Sequence, residues 1–251
     1  MTYTELARMI DHALLHPTLT TADLRAGCAM ALHYGVATVC IKPYAIGLAA
    51  ELLVGSPVGV GTVIGFPHGS HSTGVKVHET VAACEAGAVE IDMVVNIGQV
   101  LSEAWDDVKA EIAALRAATR AHGAVLKVIF ENDYLTQDFH KIRLCEICSE
   151  QGADFVKTST GFGFVKGSDG TYATVGATTA DLRLMRAHSA PHVQVKASGG
   201  VRDLDGLLHV RSLGATRLGT SATRAILDEA ARRYGGGPGS VTHDGGAATG
   251  Y

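Results

Sequence analysis

Two features that mark other protein classes are missing from this chain of 251 residues. No apolar run reaches the length of about 20 residues that a membrane-spanning helix needs, so we expect no association with a membrane. Acidic and basic side chains are spread along the chain and give a formal net charge of −4. The chain therefore lacks the concentrated basic face of a nucleic-acid-binding protein, and we expect no nucleic-acid partner.

The chain also lacks the cysteine pattern of a secreted protein. It has five cysteines, an odd count, and its first residues have neither the charge nor the apolar core of a signal peptide. We therefore expect reduced thiols and a cytoplasmic location. Cys145 and Cys148 form a C-x-x-C pair, but no second pair accompanies them and both fall in a helical pattern. Core thiols are the favoured interpretation.

What is present is an alternation of short β-rich apolar segments with longer segments of helical spacing. The predicted strands are 10–13, 36–41, 58–64, 89–95, 125–130, 154–158, 192–197 and 215–218. The predicted helices are 21–34, 43–53, 73–86, 103–122, 136–151, 178–188, 204–213 and 221–234. This order indicates a parallel sheet that is covered by helices.

Eight strand–helix units are the number that closes a (β/α)8 TIM barrel. We therefore predict one α/β domain over residues 1–234, including a short N-terminal helix. A doubly wound open sheet is the alternative, but no G-x-G-x-x-G motif follows the first predicted strand. Residues 235–251 begin with Gly-Gly-Gly-Pro-Gly-Ser and show no hydrophobic pattern, which predicts a flexible tail.

Ionisable side chains lie in strands that should be apolar, because both faces of a barrel sheet are covered. Glu90 and Asp92 share one face of their predicted strand, since side chains alternate along a strand. Lys127, Lys157 and Lys196 lie in the strands that follow. Single charges of this kind are usually exposed strand ends or structural ion pairs. Their presence on four successive strands favours a polar active-site floor, because unpaired buried charges are costly.

Two neighbouring lysines near the C-terminal ends of barrel strands have a specific chemical use. An amine with a pKa near ~10.4 is almost entirely protonated at neutral pH and does not attack a carbonyl. Burial and a second ammonium both favour the neutral amine, which forms an iminium with an aldehyde or ketone. A carbon–carbon bond can then form or break beside the iminium. We therefore predict Lys157 as the Schiff-base lysine, Lys196 as the neighbouring ammonium and Asp92 as the proton shuttle.

Glycine-containing loops follow the last two predicted strands. Residues 198–200 (Ser-Gly-Gly) follow the strand of Lys196, and residues 219–221 (Gly-Thr-Ser) open the last helix. Backbone amides of such loops suit a phosphate dianion, and barrel enzymes often use these loops in this way. Glycines are also common in ordinary turns, so only the pair of loops beside the lysines favours a phosphate site.

These motifs resemble the deoxyribose-phosphate aldolase family from residue 10 to about residue 221. The most specific stretch is Phe-Val-Lys-Thr-Ser-Thr-Gly-Phe at 155–162, and Glu-Ile-Asp-Met-Val-Val-Asn-Ile-Gly at 90–98 also matches. The resemblance implies a β/α barrel and a class I aldolase without metal or cofactor. It implies reversible cleavage of 2-deoxy-D-ribose 5-phosphate to D-glyceraldehyde 3-phosphate and acetaldehyde, in deoxyribose phosphate catabolism. It also implies a homodimer or a higher homo-oligomer.

The same resemblance places Lys157 at the Schiff-base position, Lys196 at the second lysine and Asp92 at the proton-relay acid. Together with the loop residues, the substrate-binding candidates are Asp11, Cys40, Lys127, Thr158, Gly161, Gly199, Gly200, Gly219 and Ser221. Some family members end in a tyrosine that reaches the active site, which makes Tyr251 a candidate proton relay. A terminal tyrosine without a role is the alternative.

The sequence departs from the family pattern in three places. His16 stands where the family often has lysine, and Ala222 replaces the second serine of the phosphate loop. Loss of that hydroxyl removes one phosphate donor, although the backbone amides remain. The unusual tripeptide Asn-Asp-Tyr at 132–134 follows Glu131, and we expect it to alter the rim of the pocket.

Other functions fit parts of the pattern. His68 and His71 have the spacing of metal ligands, but a pair without further ligands is a poor metal site. Cys40 has no identifiable histidine and acid partners for nucleophilic catalysis. A protein that only binds phosphosugars would not need the two lysines and Asp92. Another class I aldolase is a nearer alternative, because other barrels also place Schiff-base lysines on inner strands.

Overall fold

A computed structural model of the chain describes residues 1–238 and contains a closed barrel of parallel strands. The barrel strands are β1 (Ile10–Leu14), β2 (Thr38–Ile41), β3 (Gly59–Ile64), β4 (Glu90–Val94), β5 (Val125–Ile129), β6 (Phe155–Lys157), β9 (Gln194–Ser198) and β10 (Ala215–Thr220). Each strand pairs with the next barrel strand along the chain, and β10 pairs with β1 to close the ring. The predicted (β/α)8 barrel is confirmed, and the open-sheet alternative is excluded.

Helices surround the barrel. They are α1 (Tyr3–Ala7), α2 (Thr21–Tyr34), α3 (Ile46–Leu53), α4 (Thr73–Glu85), α5 (Ile97–Leu101), α6 (Trp105–Ala121), α7 (Asp138–Gln151), α8 (Thr179–His188), α9 (Leu204–Ser212) and α10 (Thr223–Tyr234), with a 3-10 turn at Pro43–Ala45 before α3. Local sequence explains where they begin and end. Thr20 and Asp23 form a reciprocal capping box at the start of α2, and Gly35 ends this helix with a φ of 65°.

A small antiparallel hairpin between β6 and α8 is absent from the predicted elements. It consists of β7 (Val165–Lys166) and β8 (Tyr172–Ala173). Two-residue strands carry too little alternation to be recognised in a sequence. The hairpin matters for the site because it belongs to the loop that follows β6, the strand that carries Lys157.

The barrel strands separate two kinds of buried side chain. In β4, Ile91 and Met93 belong to the apolar core, whereas Glu90 and Asp92 contact Lys127 on β5. This arrangement follows from the alternation of side chains along a strand. The charged groups predicted from the sequence therefore meet in the barrel interior, and the apolar groups pack elsewhere in the core.

The described part of the chain ends shortly after its last helix. α10 ends at Tyr234, and Gly235 follows it as the C-cap. Residues 239–251 of the predicted tail, including Tyr251, lie outside the described residues. Within residues 1–238, no helix is long and apolar enough to cross a membrane.

Candidate active site

Lys157 and Lys196 lie side by side near the C-terminal ends of their strands. Lys157 is the last residue of β6, and its register partner on β9 is Lys196. Their exposed fractions are only 2% and 1%. The Nζ atoms of both lysines lie 2.7 Å from the same oxygen, Oδ2 of Asp92. The three residues predicted to carry the chemistry are thus in direct contact.

Asp92 is the shared partner of three lysines. Its second oxygen, Oδ1, accepts a hydrogen bond of 2.8 Å from Nζ of Lys127. Complete burial alone would raise the pKa of this carboxyl group. The positive charges of Lys127, Lys157 and Lys196 outweigh burial, so the pKa of Asp92 lies well below its usual value. Asp92 is therefore an ionised carboxylate.

Further charges extend this cluster across the barrel interior. Arg217 on β10 donates from Nη1 to Oδ1 of Asp11 at 2.6 Å and lies 3.0 Å from Oε2 of Glu90. Lys127 reaches Glu90, and Lys196 reaches Asp11. A register shift between Ala215 and Arg217 accompanies the position of the arginine, as expected because bulges re-aim side chains.

We call this cluster the barrel ion network. It consists of Asp11, Glu90, Asp92, Lys127, Lys157, Lys196 and Arg217. Three carboxylates face four basic groups, so full ionisation would leave one uncompensated positive charge in the barrel. Burying an uncompensated charge is costly, and a lysine can avoid this cost by losing its proton.

Lys157 is the group that most readily loses its proton. Burial lowers the pKa of its amine, Asp92 raises it, Lys196 lowers it further, and the net direction is downward. For Lys196, burial alone would also lower the pKa, but Asp11 and Asp92 outweigh burial and the net direction is upward. A lowered pKa at Lys157 beside a raised pKa at Lys196 favours loss of a proton from Lys157 over loss from Lys196. The largest cause of the lowered pKa of Lys157 is its own burial, and the positive charge of Lys196 is a smaller cause.

A cavity of about 400 Å³ opens over the two lysines, a volume suited to a small-molecule ligand. Its lining includes several residues predicted from the sequence, namely Cys40, Lys157, Gly161, Lys196, Gly199, Gly200, Gly219 and Ser221. The lysines and both glycine-containing loops therefore face one space. The structure thus brings the predicted reacting group and the predicted phosphate loops together.

Four other predicted residues are buried beside the cavity lining. Asp11, Asp92 and Lys127 belong to the barrel ion network and contact the lysines or one another. Thr158 joins β6 to β9, because its hydroxyl donates to the carbonyl of Ser198 and accepts from the amide of Ser198, both at 3.0 Å. These four residues do not line the cavity themselves, but they form ion pairs or hydrogen bonds with residues that do, or with one another.

Cys40 lies in the lining as a buried thiol. Burial and the nearby carboxylate of Asp92 raise the pKa of this thiol. The protonated thiol is a poor nucleophile, which supports the interpretation of Cys40 as a pocket residue. As for metal ligands, residues 1–238 contain no group of three or more His, Cys, Asp or Glu side chains placed to hold an ion.

Among the departures from the family pattern, His16 lines the cavity and Ala222 follows the lining residue Ser221. His16 is among the lining residues, and its Nδ1 lies 2.7 Å from the hydroxyl of Thr18. Ala222 immediately precedes α10, and no side chain caps the start of this helix. The amide of Ala222 donates to the hydroxyl of Thr220 at 3.0 Å. The first turn of α10 thus presents uncapped amides beside Ser221.

Sequence reasoning missed three residues of the site. Arg217 is a charge within a predicted apolar strand, the same signal that identified Lys127. Arg202 lines the cavity two residues after Gly200, which belongs to the first glycine-containing loop. His12 lines the cavity next to Asp11 in sequence, and burial lowers its pKa to about 4. Its imidazole is therefore neutral at neutral pH.

Comparison with known proteins places this site in a family. A family model described as "DeoC/LacD family aldolase" matches residues 6–229. The chain belongs to this aldolase family. Deoxyribose-phosphate aldolase of Rhodopirellula baltica is 54% identical over 93% of this chain and 92% of its own length. The enzyme of that name from Thermococcus kodakarensis is 43% identical over 90% of this chain and 97% of its own length.

Solved structures give the same result. A deoxyribose-phosphate aldolase from Aeropyrum pernix, described as tetrameric, superposes with a TM-score of 0.78 at 31% identity and covers 91% of this chain and 92% of its own. The aldolase QR15 superposes with a TM-score of 0.82 at 37% identity, over 91% of this chain and 96% of its own. The protein is a lyase of the aldolase type, built on a TIM barrel.

Proposed function

We propose that this aldolase reversibly cleaves 2-deoxy-D-ribose 5-phosphate to D-glyceraldehyde 3-phosphate and acetaldehyde through a Schiff base on Lys157. The observation that carries the proposal is the excess of one basic group in the barrel ion network, with Lys157 as the group whose pKa is lowered. The names of the curated relatives support the choice of substrate.

The reaction begins at the aldehyde carbon of the open-chain sugar. The neutral amine of Lys157 attacks this carbon, and loss of water gives an iminium. Removal of the proton from the C3 hydroxyl then breaks the C2–C3 bond, and the electron pair moves to the iminium nitrogen to form an enamine. D-Glyceraldehyde 3-phosphate leaves. Protonation of the enamine carbon and hydrolysis of the iminium release acetaldehyde and restore the amine.

The protons move through Lys196 and Asp92 in this proposal. Lys196 lines the cavity as an ammonium, so it can donate a proton to the departing water. The neutral amine that remains can accept the proton of the C3 hydroxyl as the C2–C3 bond breaks, and it then donates this proton to the enamine carbon. Asp92 contacts both Nζ atoms, and it supports exchange of a proton between the two lysines. Asp11 and Lys127 hold Asp92 and Lys196 in place from the buried side of the network.

The phosphate group lies against the two glycine-containing loops of the cavity in this proposal. Gly199 and Gly200 from one loop, and Gly219 and Ser221 from the next, lie in the same lining. Backbone amides of such loops and an uncapped helix N-terminus attract a dianion. The guanidinium of Arg202, also in the lining, adds a positive charge.

The proposal also covers the oligomeric state of the protein and its cellular compartment. The tetrameric enzyme from Aeropyrum pernix supports a homodimer or a higher homo-oligomer for this chain. All five cysteines carry free thiols, which supports a reducing compartment such as the cytoplasm.

The proposed function is tested by following the release of D-glyceraldehyde 3-phosphate from 2-deoxyribose 5-phosphate. We expect Lys157→Ala to lower the rate by at least about 10³-fold, because the covalent step is lost. Lys109→Ala is a matched control, since Lys109 is exposed on α6 and pairs with Glu150. Retention of cleavage by Lys157→Ala, or loss of activity on treatment with a chelator, would contradict the mechanism.

A further inference from the structure

The turn after β5 holds the loop after β6 at three places. We call Glu131, Asp133 and Tyr134 the β5 clamp. Oε2 of Glu131 accepts from the amide of Thr160 at 3.2 Å, and the hydroxyl of Tyr134 accepts from the amide of Phe164 at 3.1 Å. These contacts fix the loop before the hairpin β7–β8 begins.

Asp133 holds the other end of the hairpin. Its Oδ2 accepts from the amide of Val175 at 3.0 Å, and its Oδ1 accepts from the amide of Gly176 at 2.9 Å. Only 9% of Asp133 is exposed. Both oxygens of one nearly buried carboxylate are therefore used to hold two consecutive backbone amides. Bonds from neutral amides to an ionised acceptor are stronger than those to a neutral acceptor.

The clamp is built on an unusual backbone. Glu131 has a φ of 58°, in the left-handed region that few residues other than glycine adopt. The amide of Asn132 donates to the carbonyl of Thr158 at 2.9 Å, and the amide of Tyr134 donates to the carbonyl of Glu131 at 3.0 Å. A strained conformation persists where its surroundings determine it, and such residues concentrate at functional sites.

Gly176 packs directly against Gly199 of the proposed phosphate loop. A Cβ atom at Gly176 would lie 2.7 Å from the carbonyl carbon of Gly199, so the two backbones are in close contact. The amide of Ala177 also donates to the carbonyl of Gly199 at 3.2 Å. Gly199 and its neighbour Gly200 line the cavity. A continuous set of contacts therefore runs from the Asp133 carboxylate to the cavity wall.

We propose that Asp133 is a positioning residue that shapes the phosphate end of the substrate cavity by holding Gly176 against Gly199. The inference rests on the proposed function, because it assumes a phosphorylated substrate. Asp133 does not touch the reacting carbons. Its loss is therefore expected to weaken phosphate recognition while the Schiff-base chemistry at Lys157 continues.

The inference is tested by comparing 2-deoxyribose 5-phosphate with unphosphorylated 2-deoxyribose. We expect Asp133→Ala to raise KM for the phosphorylated sugar by about tenfold or more, because the buried amide of Gly176 and the partly buried amide of Val175 lose their acceptor. The value of kcat for that sugar, and kcat/KM for deoxyribose, should change by less than about threefold. Asp133→Asn should lie between wild type and Asp133→Ala, because an amide side chain keeps one acceptor oxygen.

Two further variants separate positioning from general damage. Asp169→Ala is the matched control, since Asp169 is an exposed acid of the same hairpin that caps Thr171. It should behave like wild type. Tyr134→Phe removes the acceptor at Phe164 but leaves the Asp133 contacts, so it should raise KM less than Asp133→Ala does. Equal losses for both sugars in Asp133→Ala, or an unchanged KM, would overturn the inference.

Binding of inorganic phosphate tests the inference independently of turnover. Calorimetry should show that Asp133→Ala weakens phosphate binding by about tenfold relative to wild type and Asp169→Ala. If the wild-type protein cleaves neither sugar, the proposed function fails, and phosphate binding still decides whether Asp133 positions the loop. Equal phosphate affinity in all three proteins would overturn the inference.

Discussion

Among the basic residues of the barrel ion network, Lys157 has the fewest carboxylate partners. It contacts Asp92, whereas Lys196 contacts Asp11 and Asp92, and Lys127 contacts both of these and Glu90. The one carboxylate partner of Lys157, Asp92, also forms ion pairs with Lys127 and Lys196. The difference between the two neighbouring lysines thus arises from how the carboxylates are distributed. Each lysine is buried, so burial alone does not distinguish them.

A change at Lys196 tests this distribution of charge. Lys196→Met removes a positive charge beside Lys157 and frees Asp92 to interact more strongly with Lys157. Both effects raise the pKa of Lys157. Because a lysine is reactive when neutral, the limb of kcat/KM that rises with pH should move to higher pH. At neutral pH we expect a loss of about 10²-fold or more.

The pH profile of kcat/KM measures this effect. Lys141→Met is a control, since Lys141 is another buried lysine that pairs with Asp138 and Asp181 away from the network. Activity that falls in Lys196→Met without movement of the pH limb would mean that Lys196 does not tune Lys157.

The sequence predicted which side chains belong to the site better than it predicted where each of them lies relative to the cavity. The alternation of side chains placed Asp92 and the lysines on one side of their strands, and the structure agrees. Whether a residue lines the cavity or lies behind it depends on the twist and closure of the barrel. For that reason Asp11 and Thr158 could not be distinguished from Cys40 in the sequence. The contribution of Arg217 depends on the register shift in β10, which has no clear sequence signal.

At the scale of elements, the end of β4 is held by a buried ion pair between two helices. Lys76 on α4 donates to Glu111 on α6 at 2.6 Å and to the carbonyl of Val94 at 2.8 Å. Oε2 of Glu111 accepts from the amide of Asn96 at 3.0 Å. The exposed fractions of the two side chains are 0% and 1%. This pair therefore fixes the strand that carries Asp92.

Removal of one partner of this pair should be costly. We expect Glu111→Ala to lower the free energy of unfolding by about 3–5 kcal/mol, because the ammonium of Lys76 is left buried without its carboxylate. The double variant Lys76→Met with Glu111→Ala should recover part of this loss. Urea unfolding measures both. A single variant as stable as wild type would show that the pair does not hold these elements together.

The barrel strands and the major helices were predictable because each has enough residues to show its period. The strand 89–95 is an example, since β4 occupies 90–94 in the structure. The hairpin β7–β8 was missed because each strand has two residues, and the short helix α5 was also not predicted. Their positions are set by contacts with distant residues, as the β5 clamp shows. The sequence marked the clamp only as an unusual tripeptide at 132–134.

At the scale of the whole molecule, one cavity combines groups from several strands of the barrel. The lysines of β6 and β9 lie in its lining with loops that follow β9 and β10. The closure of β10 onto β1 also brings Arg217 to Asp11. No single element holds the site, so the complete barrel is required to produce it.

The predicted role of the last residue belongs to this scale, although Tyr251 lies outside the described residues. Tyr251→Phe removes the hydroxyl that would relay a proton. If the tyrosine takes part, we expect slower exchange of the methyl protons of acetaldehyde with solvent, measured by NMR, and a smaller change in KM. Equal effects on exchange and binding, or no effect on exchange, would contradict the relay.

The central claim is that Lys157 carries the covalent intermediate, and reductive trapping tests it most directly. The protein is incubated with acetaldehyde and borohydride, and the modified peptide is identified by mass spectrometry. We predict one ethyl group on Lys157, with Lys196 unmodified because it is held as an ammonium by Asp11 and Asp92. Modification of Lys196 in place of Lys157, or inactivation without modification of Lys157, would contradict the account.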